Sequence, residues 1–157
     1  MNDEIREAAR GVVWHAKNVL STDKVNWCVD DDADTIEDVY TLYRHFSDHG
    51  FIPISAKNSE STVFSSPEDN YAVRAWHDWA HIRGMYPFNI GGEARSMALQ
   101  MADIVRLCGN SDTHKHTFRL LWIEVMGQIM HKELHGVFPK DQVTFTEDMW
   151  KVAGRIY

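Results

Sequence analysis

Two histidines four residues apart, His77 and His81, lie in the stretch Tyr71-Ala-Val-Arg-Ala-Trp-His-Asp-Trp-Ala-His81, and the spacing recurs at His131 and His135. On a helix, residues i and i+4 share a face, with Cβ atoms near enough for both imidazoles to reach one ion. Glu93 and Glu124 lie between the two pairs along the chain. Imidazole and carboxylate together suit iron, zinc or manganese, and donor type alone does not choose among these metals. The chemical question is therefore whether these groups face a common interior or water.

Helical periodicity answers in favour of an interior. In a helix over 67–83, His77 and His81 share a face with Val73, Trp76 and Ala80. In a helix over 91–108, Glu93 is in line with Met97, Gln100, Ile104 and Leu107. In a helix over 113–135, Leu121, Glu124, Gln128, His131 and His135 form one row, and Gly127 beside it leaves room for another backbone. Three helices thus carry polar groups on apolar faces. Each such group costs several kcal/mol to bury alone, so the groups need partners, and a divalent cation satisfies several at once. Helical bundles build metal sites by projecting Glu and His inward in this way.

Each residue also has a plainer explanation. A single histidine on an apolar face commonly bonds a backbone carbonyl, and this competes with ligation at His77 and His81. His135 stands beside Gly136 in a last helical turn, where the helix dipole favours it without a ligand, and Glu93 in a first turn gains from the opposite end of a dipole. Glu124 sits mid-helix between Ile123 and Val125 and has no such account, which makes it the more telling carboxylate. Gln100 and Gln128 read as hydrogen-bonding neighbours of the site. His114 and His116 are expected to be exposed at a helix start.

Asp78 follows His77 directly. The dipeptide matches the metal-binding HD pair of HD phosphohydrolases, with His45 or His49 as candidates for a further histidine, but no downstream Asp completes that set. HDWAH also falls one methylene short of the zinc-protease HExxH, so the acid would have to reach further to activate water. The stretch Val73-Arg-Ala-Trp-His-Asp-Trp-Ala-His81, followed by Phe88, Gly92-Glu93 and Gly127-Gln128, resembles a group of small, often phage-borne proteins with an RAxHDxxxH-like stretch, an aromatic residue and a GE pair. The resemblance spans about residues 70–130. It implies that His77, Asp78, His81, Glu93 and the Glu124/Gln128 row belong to one site, and it implies no particular activity.

The elements that must position these groups follow from the same pattern. Residues 3–20 carry Ile5, Ala8, Ala9, Val12, Ala16, Val19 and Leu20 at helical spacing. Asp34 or Thr35 is expected to cap a second helix that ends near Gly50. Residues 51–66 read as a long irregular connection in which Phe51-Ile52 and Val63-Phe64 are available to pair as short strands. Ser66-Pro67-Glu68-Asp69 is a strong helix start. Gly91-Gly92 introduces the next helix, Gly109 ends it, and Gly136 closes the one after. Thr146-Glu147-Asp148 is expected to open a last helix to the C-terminus. The fold class predicted is an all-α, single-domain bundle of about five to six helices covering 1–157, with one long irregular loop.

Composition narrows the function classes. At 157 residues, with 44% hydrophobic and 25% charged residues, the chain reads as one ordinary globular domain. No apolar run approaches a membrane span, and Met1–Arg10 lacks the features of a secretory leader, so a cytoplasmic location is expected. The net charge is −7, with acid gathered at Asp30-Asp31-Asp32 and Asp34 and no Lys/Arg cluster, which argues against a nucleic-acid backbone as partner. Cys28 and Cys108 have no CxxC spacing and read as reduced, core-filling residues.

The expectation is a metalloenzyme acting on a small molecule. His77, His81, Glu93 and Glu124 are its candidate ligands, and His131 is a fifth ligand or proton carrier. Asp78 orients a histidine or a water, and Glu124 also takes a catalytic role. A non-haem di-iron oxidase or oxygenase is the preferred chemistry, although neither glutamate has the usual Glu-x-x-His spacing. The alternatives are a single-zinc hydrolase using the HxxxH pair plus Glu, and a non-catalytic interaction protein with a buried polar network. In the latter, Trp14, Trp27, Trp79 and Trp150 mark a partner or homodimer surface.

Overall fold

The computed structural model describes residues 1–57, 59, 61–109 and 114–154. Asn58 and Glu60 of the irregular connection, Thr113 at the expected helix start and the last three residues of the expected C-terminal helix lie outside the described residues. The architecture is all-α with one two-stranded sheet. Among the described residues, no helix is long and apolar enough to cross a membrane.

Helix α1 (Asp3–Thr22) starts where the Asn2 side chain accepts the Ile5 amide at 2.9 Å. Its buried face, Ile5, Ala8, Ala9, Val12, Val13, Ala16, Val19 and Leu20, follows the expected period and packs on α3 (Pro67–Gly84) and α5 (Lys115–Trp122). Gly11 sets the approach to α5, because a Cβ there would fall 2.7 Å from Thr117 Oγ1. Small residues on α1 thus bring its neighbours close.

Helix α2 (Val39–His49) begins later than expected. Asp38 accepts the Thr41 amide at 2.8 Å, whereas Asp34 and Thr35 lie in a 3₁₀ turn, Asp31–Thr35. The reason is competition for Asp34: its carboxylate accepts from Ser55 Oγ at 2.6 Å and pairs with Lys57 at 2.8 Å, so it cannot cap a helix. Gly50, with φ 78°, ends α2 in the left-handed conformation.

The expected strand pairing is corrected. Phe51–Ile54 (β2) pairs in parallel with Asn26–Val29 (β1), Trp27 opposite Ile52, and α2 is the crossover between them. Val63 and Phe64 are buried as irregular chain. Pro53 is accommodated because each strand of a two-stranded sheet keeps one unpaired edge.

Ser66 caps α3 through the Asp69 amide at 3.2 Å, and Met85 (φ 49°) ends it. Asn89 caps α4 (Ile90–Cys108) through the Gly92 amide at 3.0 Å. Gly92 is sterically required, since a Cβ would sit 1.7 Å from the Pro87 carbonyl oxygen. The 85–89 turn can therefore fold back over the start of α4, one residue before Glu93. Buried Asp103 ties α4 to α3, accepting from Trp76 Nε1 at 3.0 Å and from Arg83 Nη1 at 2.9 Å.

Helix α5 runs through a π turn, Ile123–Gly127, into α6 (Gln128–His135). Helix α7 (Gln142–Ala153) starts one turn before Thr146, because Asp141 accepts the Thr144 amide at 3.0 Å. Thr146 is instead buried within it. A Cβ at Gly127 would meet the Phe145 ring at ordinary contact distance, 3.5 Å, rather than another backbone.

The surface differs from expectation in two respects. Cys28 and Cys108 are exposed free thiols rather than core residues, since β1 is mostly exposed and Cys108 is the last residue of α4. Trp150 is buried and donates to Glu4 at 3.2 Å, and Trp79 is half-buried and donates to Asp23 at 2.9 Å. Of the four tryptophans expected outside, Trp14 is the one that is well exposed.

Candidate metal centre

One turn of α3 carries His77 and His81, and their Nε2 atoms lie 3.1 Å apart. The Glu93 carboxylate arrives from the first turn of α4, its Oε2 2.8 Å from His77 Nε2 and 3.4 Å from His81 Nε2. All three ligand atoms lie within 4.8 Å of one another. This His-His-Glu group is close enough to hold one metal ion.

The outer ring nitrogens fix how the imidazoles are presented. His81, fully buried, places Nδ1 2.8 Å from the Tyr86 carbonyl oxygen. A carbonyl can only accept, so Nδ1 carries the hydrogen and the neutral ring keeps its Nε2 lone pair for the centre. His77 Nδ1 lies 3.1 Å from Gln100 Oε1 on α4, an arrangement of the same kind. Metal-binding histidines are held by such outer hydrogen bonds, which set tautomer and ring orientation. Phe88 packs edge-on against the His81 ring at 4.9 Å between centroids and covers that side.

The electrostatics fit a place for positive charge. Burial would raise the Glu93 pKa, but hydrogen bonds and charge from His77 and His81 outweigh it and bring the carboxylate down to about 2. Burial likewise opposes protonation of His77, and the Glu93 hydrogen bond and charge outweigh it and raise that imidazole. Without a cation, a proton is drawn into the triad; a metal ion competes with that proton for the same lone pairs.

Glu124 is not in this group but lines the same cavity, of about 960 Å³, as His77 and Glu93. It sits in the π turn, a helical irregularity that recurs at functional sites. Thr146 Oγ1 donates to its Oε1 at 2.8 Å and Gln128 Nε2 to its Oε2 at 2.9 Å. Burial outweighs these two neutral donors and pushes the carboxyl up to about 7. Asp78 also lines the cavity; burial raises its pKa, against the charges of His77, His81 and Arg74.

His131 lies apart from the triad. Its ring packs on His135 at 4.4 Å and on Phe145 at 5.4 Å between centroids. The row Glu124–Gln128–His131 assumed a regular α-helix, and the π turn adds a residue that rotates the downstream side chains about the helix axis. His114 and His116, expected to be exposed, are half-buried, with His116 against Trp150 at 5.8 Å between ring centroids. Thr146 and the Tyr86 carbonyl escape sequence reasoning, since one depends on a cap at Asp141 and the other is backbone. Arg74 also lines the cavity, and its spacing of three from His77 was the available sign.

No protein-family model, curated protein or solved structure matches this chain.

Proposed function

We propose that the protein is a single-metal hydrolase in which His77, His81 and Glu93 hold a divalent cation and Glu124 moves the proton. The observation that carries this reading is the convergence of three ligand atoms, two of them on imidazoles whose outer nitrogens are tied to Tyr86 and Gln100. Two histidines and one glutamate are a catalytic zinc set, with the remaining positions open. A divalent cation there supplies a Lewis acid that lowers the pKa of water. Glu124, titrating at about 7, is matched to accept a proton near neutral pH. Asp78, on the same wall, is suited to orient a water.

The three-ligand group favours one ion over the di-iron centre expected from the sequence, since Glu124 and His131 fall outside it. The same donors also suit a mononuclear iron(II) site, which metal content separates from zinc. Elemental analysis of untagged protein is expected to give one divalent ion per chain, lost in Glu93→Gln. Hydrolysis of p-nitrophenyl acetate and p-nitrophenyl phosphate is expected to require that ion and to show an inflection near pH 7 that Glu124→Gln removes. Two ions per chain, or no ion and a melting temperature unmoved by chelation, overturns the reading.

A further inference from the structure

Arg74 stands on α3 one turn before His77 and lines the cavity that holds the triad and Glu124. Its hydrogen-bond partners among the described residues are uncharged. Nη1 donates to the Ser55 carbonyl at 2.7 Å, to the Lys57 carbonyl at 3.1 Å and to Ser59 Oγ at 3.4 Å. The irregular connection thus grips one end of the guanidinium and fixes it in place, and among the described residues no ion pair compensates its charge. Backbone carbonyls orient a cation without neutralising it, and a held guanidinium is a fork for carboxylate or phosphate oxygens.

Three lysines line the same cavity, two of them without an ion pair among the described residues. Lys132 lies over the Phe138 ring at 4.8 Å, and Lys140 follows on the loop to α7. Lys57 is already spent on Asp34. Arg74, Lys132 and Lys140 match in number the cavity carboxylates Asp78, Glu93 and Glu124, so a divalent ion in the triad leaves the cavity positive. That is a local reversal in a chain of net charge −7. The remaining wall is apolar, with Phe88, Leu121, Val125, Ile129 and Phe138. Its volume of about 960 Å³ is ample for a small organic molecule.

We infer that the substrate is an organic anion, with its carboxylate or phosphate on Arg74 and Lys132 and its apolar body along α5 and α6. This rests on the metal-centre reading for the reaction but not for the anion's anchor. Arg74 and Lys132 are binding groups, and the bond to be cleaved lies between the anion's anchor and the triad.

Calorimetry on the full zinc-loaded chain with octyl phosphate, octanoate, octanol and inorganic phosphate tests it. Both octyl anions are expected to bind once per chain, at least about tenfold tighter than octanol or inorganic phosphate, a ratio in the range of a charge-assisted hydrogen bond. Arg74→Gln is expected to weaken both octyl anions about tenfold while octanol affinity and zinc stoichiometry stay unchanged. Because Arg74 also holds the connection, Lys132→Gln on an exposed side chain gives an independent arm, with an expected loss of about threefold. Octanol binding as tightly as the anions, inorganic phosphate binding as tightly as octyl phosphate, absence of binding by either octyl anion, or anion affinity unchanged in both variants overturns the inference. If the chain takes up no zinc, the metal reading fails by itself, and octanoate binding to the metal-free protein still reports whether Arg74 is the anchor.

Discussion

The pairs His77/His81 and His131/His135 have the same spacing, and both place two imidazole rings within 4.6 Å of each other. Their surroundings differ. The α3 pair meets a carboxylate from α4, and each of its outer nitrogens has an acceptor. The α6 pair meets the Phe145 ring, and His135 is exposed. An i, i+4 pair supplies two donors on one face, and the group arriving from the next helix decides whether they form a site. Here that arrival depends on the 85–89 turn, which delivers both the Tyr86 carbonyl and, through Gly92, the start of α4.

The largest expected effect breaks the comparison directly. Alanine at His81 is expected to abolish stoichiometric metal binding by elemental analysis, whereas His131→Ala leaves it intact. Equal loss in both variants would make the two pairs equivalent and sink the distinction. Gly92→Ala should come next, because its Cβ would collide with the Pro87 carbonyl. The expected outcome is at least tenfold weaker metal binding and about 1–3 kcal/mol lost in urea unfolding. Unchanged binding there would show that Glu93 does not depend on the turn.

A pH-dependent effect sharpens the role of α5 and its π turn. The folded pKa of Glu124, about 7, lies above its ordinary 4.5, so the native state holds that proton more tightly. The contribution to stability is complete below about pH 4.5 and is lost as pH rises through about 7, to a limit of about 3 kcal/mol. In metal-free protein, Glu124→Gln is expected to flatten the fall in unfolding free energy between pH 5 and pH 8. An unaltered slope would place the titration elsewhere. The smallest effect belongs to His135→Ala, an exposed position, with a change in stability within about 0.5 kcal/mol by the same urea measurement.

Much of the molecule was legible from periodicity. The α1 face, the Ser66-Pro67 start of α3 and the shared face of His77 and His81 follow from local spacing, because their causes lie within a turn or two of chain, whereas the arrival of Glu93 also needs the 85–89 turn. The failures have non-local causes. Asp34 did not cap α2 because Ser55 and Lys57, some twenty residues on, claim its carboxylate. The β1–β2 pairing spans α2 and leaves no short-range mark. The π turn at Ile123–Gly127 has no evident sequence signature, yet it decides that Glu124 reaches the cavity wall and that His131 does not.

The hydrogen bond from His81 to position 86 is made to the peptide group. Every amino acid has a carbonyl oxygen, so no substitution at position 86 removes the acceptor itself. His77, by contrast, relies on the side chain of Gln100, which a single substitution can delete. The two histidines should therefore tolerate mutation of their supports unequally: drift can loosen His77, while His81 stays aligned for as long as the backbone of the turn survives.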